Sequence, residues 1–72
     1  MDIQKNALEL LRIERASFRG KDYVSCRVFV PSAEDADTLV ATKKGLTLPP
    51  DIAREAAREM LRLANELEPE GE

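Results

Sequence analysis

Residues 18–30 read FRGKDYVSCRVFV. In an extended strand Val24, Cys26, Val28 and Val30 point to one face, and Tyr23, Ser25, Arg27 and Phe29 point to the other. The first set is an ordinary core face. The second is unusual, because it sets an arginine between two aromatic rings. Just upstream, Arg19-Gly20 separates Phe18 from Lys21. Glycine takes positive φ readily, so this pair suits a tight hairpin turn. Such a turn pairs residues 11–18 antiparallel with residues 22–30. Pro31 has no N–H to donate to a ladder and ends the second strand.

Working outward, SAEDAD (32–37) is a polar, acidic connection. TLVATKKGLTL (38–48) is rich in β-branched residues, and Gly45 marks a bulge or bend. It reads as one bent strand or two short ones. PPDIAREAAREMLRLANELE then has a helical pattern. Pro50 suits the first turn and Asp51 favours its positive end. Ile52, Ala56, Met60, Leu63 and Leu67 recur at helical spacing, with Ala53, Ala57, Leu61 and Ala64 beside them. This stripe is wider than a small sheet easily covers. It is either a broad core stripe or, in part, a dimer face. Residues 1–10 are ambiguous. Ile3, Ala7, Leu10 and Leu11 fit a helical stripe, and propensity alone favours helix through about Arg15. An alternating strand from Leu8 to Phe18 fits only loosely.

The chain has 72 residues, which makes one domain at most. We divide it into an N-terminal extension (1–10), one sheet-plus-helix domain (11–67) and an acidic tail (68–72). A chain this short buries only about 60% of its unfolded surface. Cys26 is the one cysteine and there is no histidine, so neither an internal disulfide nor the usual zinc ligand sets can add stability. Self-association is the expected source of the remainder. The lone thiol fits an intracellular setting, cytoplasmic or nucleoid/nuclear. No apolar run reaches the roughly 20 residues that span a membrane, and the N-terminus has no secretory pattern.

The net charge is −3, but its distribution is uneven. Residues 49–72 carry three arginines and seven acids, whereas residues 1–48 carry eight basic and seven acidic residues. Arg12, Arg15, Arg19, Lys21 and Arg27 surround the opening stretch, followed by Lys43 and Lys44. Catalysis finds no support. Ser17, Ser25 and Ser32 have no base pattern near them, and no phosphate-binding glycine motif is present. No cofactor, metal or small-molecule substrate is expected.

FRGK at 18–21, CR at 26–27, KKGLTL at 43–48 and PD at 50–51 form an ordered set over residues 11–65. In that order and spacing the chain resembles the positive-cofactor-four family, the transcriptional coactivator type of single-stranded DNA-binding protein. The resemblance implies an α+β fold: a curved antiparallel sheet of about four strands followed by one C-terminal helix. It settles residues 11–18 as strand. It also implies a homodimer paired through the helices, with Ile52, Ala56, Met60, Leu63 and Leu67 at the interface. Carried over by position, the nucleic-acid contacts are Phe18, Arg19, Lys21, Arg27, Lys43 and Lys44. The sequence departs from the pattern after the arginine, where family members often carry Tyr-Trp and this chain has Phe29-Val30. It also has Pro49 where a capping residue usually precedes the helix.

Single strands are held by cations on phosphates and by aromatic rings stacked on bases. Phe18, Tyr23 and Phe29 are the only aromatic residues, and all lie in this segment. Tyr23, Phe29 and Arg12 are therefore further contact candidates. Each feature also has a plainer explanation. Phe18 and Tyr23 can be a cross-strand pair, and Arg27 can pair with Glu14. Lys43-Lys44 can guard a sheet edge. Cys26 reads as a small hydrophobe. Glu55–Arg58 and Arg62–Glu66 read as solvated helix pairs. The expected function is single-stranded DNA binding with little sequence preference, in transcription, replication or repair. RNA or melted duplex is the alternative nucleic-acid partner. A dimeric protein-interaction regulator is the alternative of another class.

Overall fold

The computed structural model describes residues 1–69. The expected acidic tail therefore lies largely outside the described residues. In chain order the elements are β1 (Asp2–Gln4), β2 (Leu10–Phe18), β3 (Lys21–Pro31), β4 (Leu39–Leu48) and α1 (Pro50–Leu67). The strands form one open antiparallel sheet in the order β1-β2-β3-β4, followed by the single helix. The fold class is α+β.

The β2–β3 hairpin turns where FRGK predicts. Arg19 has φ 52° and Gly20 φ 78°. Two positive central φ values suit a two-residue turn whose twist matches that of the flanking strands. Phe18 pairs with Lys21 at the end of the ladder. Ser17 Oγ donates to Asp22 Oδ1 at 2.7 Å beside it.

The ambiguity left at residues 1–10 resolves to a short strand and a turn. Ile3 pairs with Leu11, and Asp2 with Arg12, so residues 2–4 supply the fourth strand. Asn6 is the reason the chain turns. Its Oδ1 accepts the backbone N–H groups of Leu8 at 3.0 Å and Glu9 at 2.8 Å. Such side-chain bonds offer the backbone an alternative to helix, and pairing with β2 outweighs propensity.

Residues 39–48 are one strand with an irregularity. Arg27 pairs with Gly45 and Phe29 with Ala41, so three residues, 42–44, stand opposite Val28 alone. Thr42 holds this bulge. Its Oγ1 donates to the Val28 carbonyl at 2.8 Å and accepts the Lys44 N–H at 3.1 Å. Gly45 is required by close approach. A Cβ there would lie 2.6 Å from the Cys26 carbonyl oxygen and 2.9 Å from Arg27 Cα.

The helix begins with Pro50 after an extended Pro49 that makes no side-chain cap, and Asp51 occupies the first turn. Arg62 bridges Glu59 and Glu66 along one exposed face. Glu55–Arg58 is not among the ion pairs of the described residues.

The apolar face of the sheet carries Leu11, Ile13, Val24, Cys26, Val28, Leu46 and Leu48. With Ile52, Ala53, Ala56, Ala57 and Met60 of α1, it lines a cavity of about 710 Å³. The sheet and helix do not close on it. Val28, at 8% exposure, is the sole buried residue among those described, and α1 has none. The Cα radius of gyration is 14.6 Å. A compact chain of this length has about 11 Å. Among the described residues no helix is long and apolar enough to cross a membrane.

Candidate nucleic-acid interface

The face opposite α1 is built by register. Arg12 stands opposite Arg27, Leu10 opposite Phe29, Ala16 opposite Tyr23, and Phe18 opposite Lys21. Strand alternation places all of these on one side of the sheet. Phe18 and Tyr23 are diagonal neighbours rather than a direct cross-strand pair, and Glu14 stands opposite Ser25, not Arg27.

Two like charges directly opposite each other on neighbouring strands repel. Both arginines are tied to acceptors. Arg27 Nη1 donates to the Thr42 carbonyl at 3.0 Å, which anchors the guanidinium to the bulge of β4. Arg12 forks onto Asp2, with Nε–Oδ1 at 2.8 Å and Nη2–Oδ2 at 3.0 Å. That hydrogen-bonded pairing holds the Asp2 carboxyl below its ordinary range and pushes the Arg12 guanidinium up. Arg12 Cζ also lies 4.5 Å from the centroid of the Phe29 ring. At the hairpin end Arg19 Cζ lies 5.2 Å from the centroid of Phe18, whose side chain is 63% exposed. Both phenylalanine rings are thus paired with a guanidinium within cation–π distance.

The lysines of β4 separate. Lys43 is exposed in the bulge. Lys44 borders the apolar cavity under α1, and its Nζ lies 3.2 Å from Glu9 Oε2. Glu9 also receives Lys5 Nζ at 2.9 Å and Asn6 Nδ2 at 2.8 Å. These donors, Lys5 first, then Asn6 and Lys44, pull its carboxyl down to about 2. Register and contacts therefore gather Arg12, Phe18, Lys21, Tyr23, Arg27 and Phe29 on one face. Arg19 closes one end of it and Lys43 lies in the neighbouring bulge, while Lys44 engages Glu9. Asp2 and Thr42, which hold the two arginines, were not legible in the sequence. Asp2 becomes visible only once β1 is placed beside β2.

A four-strand meander, one C-terminal helix and a face of this composition define a small sheet-and-helix module with the PC4-like fold. Two solved structures carry the comparison. The orthorhombic crystal form of BPSL1147, a PC4 homolog from Burkholderia pseudomallei, matches with TM-score 0.79 and 27% identity, over 92% of this chain and 86% of that one. The tetragonal form of the same homolog matches with TM-score 0.77 and 26% identity, over 89% of this chain and 91% of that one. No protein-family model and no curated protein matches the chain.

Proposed function

We propose that the chain binds single-stranded DNA with little sequence preference, as a homodimer joined through α1. The observation that carries this reading is the sheet face on which Phe18, Tyr23 and Phe29 stand among Arg12, Arg19, Lys21 and Arg27. Cations 19, 21, 27 and 43 hold phosphates, and Phe18 is the most exposed platform for a base. The PC4-like fold supports the same reading. The dimer is supported by the apolar residues that α1 leaves in water: Met60 is 69% and Leu67 85% exposed. Contiguous apolar surface of this kind marks an association face. The reading contains no catalytic step and sets the protein inside the cell, in transcription, replication or repair.

Fluorescence anisotropy with labelled oligonucleotides over a salt series tests the proposal. Micromolar or tighter binding is expected, weakening with salt and with Arg27→Ala. Competition with RNA and duplex DNA identifies the preferred strand, because stacking and phosphate contacts alone accommodate either sugar. Flat titrations at low salt defeat the proposal and favour a protein-interaction module.

A further inference from the structure

Asp2, Arg12 and Phe29 form a stack that none of the sheet's other charges repeats. Asp2 stands directly across the β1–β2 ladder from Arg12. Both of its carboxylate oxygens accept from the guanidinium, at 2.8 and 3.0 Å. The guanidinium lies over the Phe29 ring at 4.5 Å from its centroid. On the other side of Arg12, across the β2–β3 ladder, is Arg27. One carboxylate thus neutralises one of two adjacent cations and holds that cation where it covers an aromatic ring. A phosphate diester offers Arg12 the same two-oxygen partner. A base offers Phe29 a replacement for the guanidinium. On the interface proposed above, both contacts that a nucleotide needs are already filled from within the chain.

We propose that Asp2 is an internal mask: its carboxylate occupies the place of a phosphate on Arg12 and thereby keeps Phe29 covered. A bound strand displaces Asp2, takes over the Arg12 fork and uncovers the ring. The inference rests on the nucleic-acid reading, and its test separates the two. Asp2→Asn keeps the shape of the side chain and removes the charge. The substitution lies on an exposed three-residue edge strand, and thermal melts of the variant verify that the sheet persists. Oligonucleotide titrations are run on the unaltered chain, Asp2→Asn, Arg12→Ala and the double variant across the same salt series. The mask predicts that Asp2→Asn binds about three- to tenfold tighter. Its slope of log affinity against log salt stays that of the unaltered chain, because Arg12 meets a phosphate in both bound states, whereas Arg12→Ala makes the slope shallower by about 0.7. The gain disappears in the Arg12→Ala background. Equal or weaker binding by Asp2→Asn, beside normal binding by the unaltered chain, overturns the mask and leaves the interface standing. Flat titrations for both overturn the mask together with the function on which it rests.

Discussion

Gly45 and Arg19 are the two residues at which backbone geometry and side-chain choice can be pulled apart. A methyl group at Gly45 would meet the Cys26 carbonyl and Arg27 Cα at 2.6 and 2.9 Å, backbone atoms with no room to give. Gly45→Ala is expected to destabilise the fold by on the order of 1–3 kcal/mol, the usual range for overpacking, read as a shift in the urea midpoint. Arg19 holds φ 52°, a region that favours Asn or Gly at this turn position. Strain retained at one position motivates a functional reading of the side chain. Arg19→Asn is expected to raise the melting temperature while weakening oligonucleotide binding. A variant that melts higher and binds unchanged would remove Arg19 from the interface. Gly45 and the FRGK turn with its Gly20 were readable in the sequence, because a positive φ or a close approach leaves few residue choices. The partners of the two arginines were not, because Asp2 and Thr42 meet them only through ladder register.

Among the elements, β3 and α1 were legible from a dominant period and clear punctuation at Arg19-Gly20, Pro31 and Pro50, whereas β2 alternates only loosely and was settled as strand by the family resemblance. β1 was not legible. Three residues are too few to show alternation, and the stripe Ile3, Ala7, Leu10, Leu11 mimics a helix. The turn that decides the matter depends on Asn6 Oδ1 and on Glu9, which ties Lys5 and Asn6 of that turn to Lys44 of the β4 bulge. Lys44, which the resemblance implies as a nucleic-acid contact, pairs with Glu9 in this cluster. The Glu9 carboxyl is lowered on folding from its ordinary 4.5 to about 2. A lowered folded value means that the stabilisation is complete above about 4.5 and fades as pH falls toward 2. Urea midpoints at pH 7 and pH 3 should therefore diverge for the unaltered chain. Glu9→Gln should narrow that gap by lowering the midpoint at pH 7. An identical pH response in the variant would show that this cluster does not couple to folding.

At the scale of the whole molecule, one sheet face and one helix stripe share an apolar cavity that a single chain leaves open. Val28 is the sole buried side chain among the described residues, too little for a stable domain of this length. A dimer is expected in sedimentation velocity at micromolar concentration. Met60→Asp with Leu63→Asp should abolish it and take most of the folded signal with it, because in the proposed dimer each chain would complete the other's core. A folded monomer at low concentration would contradict this. The opposite sheet face then faces outward, with its cations and rings intact. The most direct measurement is the salt dependence of single-stranded oligonucleotide binding by the unaltered chain. Four cations on phosphates predict a slope of log affinity against log salt of roughly −2 to −3 per chain, made shallower by Arg27→Ala. A salt-independent affinity, or no binding at low salt, would contradict the claim that this face grips unpaired nucleotides.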